Sequence, residues 1–355
     1  MSWRPEPDDE PQVDRNVVRT TNAACFRFAE EQRDNGLLGL RPPQVGALHA
    51  VLGHWSVSDE PVTVVMPTGT GKTETMLSLL AQGGVERLLV IVPTDPLRAQ
   101  TFRKFLTQGL LPRLGVLTEG FAFPIVGRLD HAINTAQEAS EMFEACNVVV
   151  ATVHALSGSS HEARARVVEL CSHLFLDEAH HVAAPTWKAI KAEFASRRIV
   201  QFTATPYRRD SKRVDGRIIY SYPLRKAQAE GYFSPIQYRP VFEFDLASAD
   251  RKIAETAIAQ LREDLEAGFD HLLMARVDTI RRAEDVVEHY KELAPDLNPV
   301  LIHSQMGTRN KRNALTNLRA RDSKVIVCVD MLGEGFDLPQ LKVAAIHDVH
   351  KSLAI

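Results

Sequence analysis

Cysteine is scarce, with four in 355 residues. Cys25, Cys146, Cys171 and Cys328 lie far apart with no C-x-x-C pair. That excludes a cysteine-built zinc site and a disulfide framework, and it fits a reducing compartment. No segment approaches the roughly 18 consecutive apolar residues of a membrane-spanning helix. The opening stretch, Met1 to Glu10, is acidic and broken by Pro5 and Pro7, where a secretory signal needs a basic start and an apolar run. These absences predict a cytoplasmic protein with no membrane partner. Neither charge sign dominates: 42 Lys and Arg face 45 Asp and Glu, a formal net charge of −3. Without a global basic field, any nucleic-acid contact must be local. No internal repeat or low-complexity tract is present. What remains is 45% hydrophobic and 25% charged, the balance of a soluble globular chain and not of a disordered or collagen-like one. Its length predicts two domains at about 150 residues each.

Residues 1–14 are acidic and proline-containing and predict a mobile tail. From Val17 to about Asp34 the apolar spacing predicts a helix with Cys25, Phe26 and Phe28 inward, stopped near Gly36. From Leu40 onward, short β-branched runs alternate with helical patterns. Strands are predicted at 62–66, 88–92, 147–151, 174–176 and 199–203, with helices at 72–81, 96–106, 161–170 and 185–195. Arg208 to about Asp245 breaks this rhythm with basic residues, tyrosines and Pro223, Pro235 and Pro240, and reads as linker and crossover. A second series follows: helix 249–267, strand 271–275, helix 279–293, strand 299–303, helix 308–320, and strands 324–328 and 343–347. Apolar strands covered on both faces and separated by helices indicate an α/β fold with two parallel-sheet lobes. The expected organisation is a tail and helix over 1–38, a first lobe over 39–225, a linker over 226–248 and a second lobe over 249–355.

After the first strand stands Met66-Pro67-Thr68-Gly69-Thr70-Gly71-Lys72-Thr73. Glycines let the backbone turn so that several N–H groups point inward at phosphate oxygens, and the following helix adds its positive end. Lys72 is placed to reach the β- and γ-phosphates and the Thr73 hydroxyl to bind Mg²⁺. One departure matters: the first glycine of G-x-x-x-x-G-K-[ST] is Met66 here. Further on, Leu174-Phe175-Leu176-Asp177-Glu178-Ala179-His180-His181 sets two carboxylates just past a buried strand. Asp177 fits a Mg²⁺ ligand, direct or through water, and Glu178 a base that orients and deprotonates an attacking water. Alone, such a pair is usually a helix cap; the phosphate loop upstream favours the catalytic reading. His180 reads as a coupling residue or as a structural histidine.

At this point the chain resembles the DEAD/DEAH-box superfamily 2 helicases, its acidic box spelling D-E-A-H. Leu40-Arg41-Pro42-Pro43-Gln44 resembles the box that reads adenine, with Gln44 as the contact. Val92 to Gln100 resembles motif Ia, Ala151 to Leu156 the later strand-contacting motif, and Phe202-Thr203-Ala204-Thr205-Pro206 motif III. In the second lobe, Leu273 to Arg276 resembles motif IV and Asp330 to Pro339 motif V. Each of these weaker stretches alone is an ordinary strand end or loop; their order across the chain carries the likeness. The run from Thr203 to Asp210 looks most like the branch holding the motor subunits of type III restriction enzymes. The resemblance implies two RecA-like lobes of a P-loop NTPase, with ATP and Mg²⁺ as cofactors. It implies Lys72, Asp177 and Glu178 as catalytic and Thr73 and Asp177 as metal-binding. The nucleotide would be held by Arg41, Gln44, Thr68, Gly69, Thr70, Gly71, Lys72, Thr73, Gly335 and Asp337. His180, Thr203 and Thr205 would couple hydrolysis to movement. Thr94, Arg98, Thr152 and His154 would touch nucleic acid, DNA before RNA, and a nuclease or methyltransferase subunit is an implied partner.

The family pattern continues to a Q-x-x-G-R-x-x-R box, and none occurs between Asp337 and Ile355. An arginine of this kind is worth about 10³–10⁵ in rate. The expectation is therefore a truncated gene product, a fragment or one half of a split motor, which binds nucleotide but turns it over slowly unless a partner supplies the arginine. Three functions stay open at this level: an ATP-dependent nucleic-acid motor, a nucleotide-gated nucleic-acid clamp, and a regulatory P-loop ATPase acting on proteins. Basic groups outside the motifs (Arg103, Lys104, Arg208, Arg209, Lys212, Arg213, Arg276, Arg281, Arg282, Arg309, Lys311 and Arg312) read as phosphate contacts or as solvated faces.

Overall fold

The computed structural model describes residues 14–82, 84–180, 185–206, 214, 216–233, 236–329 and 338–348. They fall into two compact units, the first running to Pro235 and the second covering Ile236–Lys351. Among the described residues, no helix is long and apolar enough to cross a membrane.

The first unit holds strands β1 (Val62–Val65), β2 (Leu88–Val92), β3 (Val126–Leu129), β4 (Val148–Thr152), β5 (His173–Leu176), β6 (Arg198–Thr203) and β7 (Arg217–Ser221). Its helices are α1 (Arg15–Cys25), α2 (Pro42–Trp55), α3 (Lys72–Ala81), α4 (Asp95–Leu106), α5 (Ala136–Ala145), α6 (Val153–Ser157), α7 (His161–Leu170), α8 (Pro185–Glu193) and α9 (Leu224–Ala229). The strands form one seven-stranded sheet in the order β3-β4-β2-β5-β6-β1-β7. Every pairing is parallel. All carboxyl ends therefore meet at one edge.

The unbroken apolar runs are two alternating patterns interleaved, because successive side chains of a strand point to opposite faces. Val62, Val64, Leu88, Val90, Val148, Val150, Phe175, Val200 and Phe202 join Leu48, Val51, Leu77 and Phe105 on one face. Leu89, Ile91, Val149, Leu174, Leu176 and Ile199 join Phe143, Val167, Trp187 and Ile190 on the other.

The second unit orders α10 (Leu246–Glu266), β8 (Leu272–Val277), α11 (Ile280–Leu293), β9 (Val300–Ile302), α12 (Thr308–Ala320), β10 (Val325–Val329) and β11 (Leu341–Ile346). Its four-stranded sheet runs β11-β8-β10-β9, again all parallel. Leu273, Ala275, Val325 and Val327 pack on Leu261, Val286 and Tyr290, while Leu272, Ile326 and Cys328 pack on Leu318. At the end of β11, His347 is buried, with Nδ1 2.8 Å from Asp250 and Nε2 3.0 Å from the Tyr290 hydroxyl. Arg282 donates to Asp250, Asp348 and the His347 carbonyl, so two helices and a strand end are tied at one point.

Two expectations are corrected. The predicted helix over 17–34 ends at Cys25. Phe26 bridges Leu117 in antiparallel fashion and Arg27 N–H donates to the Val116 carbonyl at 2.8 Å, so β-type bonds replace helical ones. Phe28 is 49% exposed rather than inward. The stretch read as linker and crossover instead contains β7, paired on β1, and the short helix α9. Both sheet edges, β3 and β7, escaped the apolar-run criterion, because an edge strand is only partly covered and carries polar residues such as Arg128 and Arg217.

His173 opens β5 with its ring 4.8 Å from Trp55 and its Nδ1 2.8 Å from the Ser172 hydroxyl. Burial first, and the nearby Arg198 guanidinium second, push its pKa down to about 4. An unfolded histidine titrates near 6.5, so between about pH 6.5 and 4 the unfolded chain takes up a proton that the folded one refuses. Stability therefore falls on acidification through that window, by on the order of 3 kcal/mol from this group. Trp3, Trp55 and Trp187 all precede Ile236, so tryptophan fluorescence reports the first unit. We expect its thermal midpoint to drop between pH 7 and 4.5 and the drop to be smaller in His173→Phe; equal drops in both proteins would reject the assignment.

Candidate nucleotide-phosphate site

The turn after β1 is dictated by two glycines. Met66 is fully buried and its N–H still donates to the Thr203 carbonyl at 2.9 Å, so the ladder continues where a phosphate loop has its first glycine. Beyond it the Thr70 hydroxyl and N–H both return to the Pro67 carbonyl, at 2.6 and 3.2 Å. Gly69 and Gly71 adopt φ of +85° and +97°, which side-chain-bearing residues rarely reach. Gly71 is closed to substitution on a second count: a Cβ there would stand 2.0 Å from Gln44 Nε2.

Gln44 is 4% exposed; its Oε1 accepts from Arg41 N–H at 2.7 Å and its Nε2 donates to the Gly71 carbonyl at 3.4 Å. Arg41 donates to the Gly69 carbonyl at 3.2 Å. The start of α2 is thus fastened to both glycines of the loop. Thr68 and Gly69 are exposed, while Thr73 is half-buried in the first turn of α3.

Since β6 lies between β1 and β5, the loop after β1 and the acidic pair after β5 stand two strands apart on the same edge. Lys72 Nζ meets Glu178 Oε1 at 2.9 Å, with side chains only 7% and 9% exposed. A buried pair of this kind is costly to desolvate, and removing one partner strands the other charge, typically at about 3–5 kcal/mol. Glu178 has φ of +49°, a left-handed conformation that a glutamate holds only under constraint from its surroundings. Its own N–H donates to Asp177 Oδ1 at 3.0 Å. The second Glu178 oxygen stands 3.5 Å from His180 Nδ1, which is 3.4 Å from the Thr203 hydroxyl at the end of β6. Thr203 Oγ1 in turn donates to the Thr205 carbonyl at 3.0 Å. Lys72, Glu178, His180, Thr203 and Thr205 therefore form one polar chain across three neighbouring strands.

Among the described residues, no three His, Cys, Asp or Glu side chains converge as a metal cage. The hard oxygens at this edge include the Thr73 hydroxyl and the buried Asp177 carboxylate, donor types that suit Mg²⁺ completed by phosphate and water.

A second cluster forms at the adjacent ends of β2 and β4. Thr94 caps α4 by accepting from Leu97 N–H at 3.4 Å, and Thr152 caps α6 by accepting from Ala155 N–H at 3.2 Å. His154 is exposed beside them. Arg98 is directed inward: it pairs with Asp95 at 3.2 Å and Asp130 at 2.9 Å, and donates to the Leu129 carbonyl at 2.9 Å. Lys104 is likewise held by Glu74 at 2.7 Å. Arg103, Arg309 and Arg312 are exposed. Gly335, Asp337, His181, Arg208, Arg209, Lys212 and Arg213 lie outside the described residues.

Sequence reading missed the aromatic side of the phosphate loop. A Cβ at Gly69 would lie 3.3 Å from the ring of Phe233, and Tyr232 has Arg33 over its ring at 4.0 Å and Arg41 at 5.3 Å. No local pattern flags a Tyr-Phe pair beyond α9 as a neighbour of a loop formed by residues 66–71.

Two family models match the chain: "Type III restriction enzyme, res subunit" over residues 37–208 and "Helicase conserved C-terminal domain" over residues 256–355. UvrABC system protein B of Chlorobaculum tepidum is 33% identical over 94 residues, 26% of this chain and 13% of that protein. The same protein of Chlorobium phaeobacteroides is 29% identical over 117 residues, 33% of this chain and 15% of its own length. This chain thus spans only a small part of those relatives. Among solved structures, a fragment described as an HsdR subunit of a type I restriction enzyme from Vibrio vulnificus superposes with a TM-score of 0.60 at 16% identity, covering 96% of this chain and 62% of that one. The Mycobacterium smegmatis helicase Lhr gives a TM-score of 0.53 at 16% identity, over 85% of this chain and 41% of that one. At such identities the likeness speaks for the fold, two parallel-sheet lobes of the RecA-like kind. With a restriction-motor model over one unit and a helicase model over the other, in the order the motifs predict, this chain belongs to the superfamily 2 helicases.

Proposed function

We propose that this chain is the motor part of an ATP-dependent DNA helicase or translocase. The observation that carries the reading is the buried 2.9 Å pair between Lys72 and Glu178, which joins the phosphate loop to the D-E-A-H box at the centre of the sheet edge. Backbone N–H groups of the loop and the amino end of α3 attract a triphosphate. An arriving γ-phosphate offers Lys72 a more highly charged partner than Glu178 does. The exchange releases the Glu178 carboxylate, which orients a water on the γ-phosphorus and takes its proton as ADP leaves. Thr73 and Asp177 would hold Mg²⁺, whose chemistry is to neutralise the triphosphate charge. His180 and Thr203 sense the state of Glu178 through their 3.5 and 3.4 Å contacts and relay it to Thr205. Gln44, fixed between Arg41 and Gly71, selects the base.

The path for nucleic acid runs over Thr94, Thr152 and His154, with Arg98 shaping the same edge. Contacts there would go to phosphates and carry no sequence preference. The restriction-enzyme family model favours DNA and a nuclease or methyltransferase partner.

Two outcomes test this reading. Phosphate release stimulated by single-stranded DNA should fall at least about a hundredfold in Lys72→Ala and in Glu178→Gln. Calorimetry should show that Glu178→Gln retains Mg·ATP binding, because its amide no longer holds Lys72. Hydrolysis at the wild-type rate in both variants would refute the role assignments. Affinity for DNA should decline linearly in log–log form with salt, and His154→Ala should lower it to a similar extent on unrelated sequences; a sequence-dependent loss would place a base contact at this edge instead.

A further inference from the structure

The carboxyl edge of the first sheet carries a strap that the roles above do not use. After β7, the Tyr222 N–H donates to the Val65 carbonyl at 2.9 Å, and the chain turns back through α9. Gly231, at φ of +72°, reverses it, so that the Tyr232 N–H returns to the Ala227 carbonyl at 2.9 Å. This delivers two aromatic rings to the phosphate loop. The Phe233 ring closes over Gly69, where a Cβ would meet its Cε1 and Cζ at 3.3 Å.

The Tyr232 ring is gripped by its surroundings. The Arg33 guanidinium lies 4.0 Å from its centroid and also donates to the Glu230 carbonyl at 2.6 Å and to Glu31 at 3.2 Å. The Tyr232 hydroxyl donates to Glu31 at 3.1 Å. Burial, then Glu31, raise the pKa of that hydroxyl, so it remains a donor at neutral pH. Arg41, whose guanidinium stands 5.3 Å from the same ring, is the group that donates to the Gly69 carbonyl at 3.2 Å. The exposed loop glycine is thus held from two sides, by a ring and by an arginine that the neighbouring ring orients. The second unit begins at Ile236, three residues beyond Phe233.

We propose that Phe233 and Tyr232 are positioning residues of the phosphate loop, through which occupancy of that loop is transmitted to the chain entering the second unit. The proposal rests on the reading of the loop as an ATP site. A nucleotide that draws the loop's N–H groups toward phosphate shifts Gly69 and changes the surface on which Phe233 sits. The ring moves with that surface, and the covalent chain beyond it follows. Contacts of this kind, a cation over a ring and a ring against backbone, are individually weak and so can be exchanged in a cycle.

The test uses the full chain. Chymotrypsin cleaves at exposed aromatic residues, and Tyr238, Phe242 and Phe244 are 85%, 82% and 101% exposed. Their cleavage rates are measured with and without Mg·ATP, alongside the Mg·ATP dissociation constant by calorimetry. The wild-type rates should change on nucleotide binding. In Phe233→Ala the affinity should fall about tenfold and the nucleotide-dependent change should be lost, and Phe233→Tyr should restore both. Tyr232→Phe, which keeps the ring and removes only the hydroxyl, guards against a folding defect and should reduce the change partially. Wild-type affinity and a full nucleotide-dependent change in Phe233→Ala would overturn this inference alone. Absence of Mg·ATP binding by the wild-type chain would overturn the site itself, and the inference with it.

Discussion

A lysine and a glutamate, each more than nine-tenths buried, stand 2.9 Å apart at the middle of the first sheet's carboxyl edge. Little of either side chain reaches solvent, so neither charge is tolerable without the other. The architecture around them follows from that constraint. The glycines of the loop must take left-handed φ to bring Lys72 to its helix start, and Glu178 itself must take φ of +49° to face it. His180 faces the remaining carboxylate oxygen and Thr203 faces His180, so the pair is embedded in a polar chain rather than isolated. A buried charge pair with a strained member is poor material for stability alone. It is good material for an exchange in which a phosphate takes the lysine and frees the carboxylate.

The exchange we propose would rely on the order of the sheet. With β6 between β1 and β5, the loop, the acidic box and the T-A-T segment project from three consecutive strands of one edge. Two apolar layers, built from alternating residues of the same strands, hold this edge rigid from both faces. The second unit repeats the principle with four strands, where Arg282, Asp250, His347 and Tyr290 tie α10, α11 and the end of β11 together.

Much of this was legible in the sequence. The central strands were found because they are buried on both faces and so read as unbroken runs such as Leu88 to Val92. The helix from Lys72 to Ala81 was found because a glycine turn precedes it and an apolar pattern follows. The edges β3 and β7 were not, since half-covered strands keep polar residues and mimic loops. The first helix was overextended, because apolar residues beyond Cys25 serve a β-bridge to Leu117 rather than another helical turn. Arg98 reads in the sequence as a nucleic-acid contact, and its pairing with Asp130 at 2.9 Å is invisible there because only folding brings the two together.

The amino-acid sequence by itself determined the parts whose physics is local: glycines where the backbone turns, β-branched runs that become strands, carboxylates just past a strand end. Tertiary structure alone decided the strand order, the meeting of Lys72 with Glu178, the turning of Arg98 onto Asp130 and the seating of Phe233 on Gly69. Each of these joins residues with no neighbourly relation along the chain, and their contact energy exists only after the sheet has closed the distance.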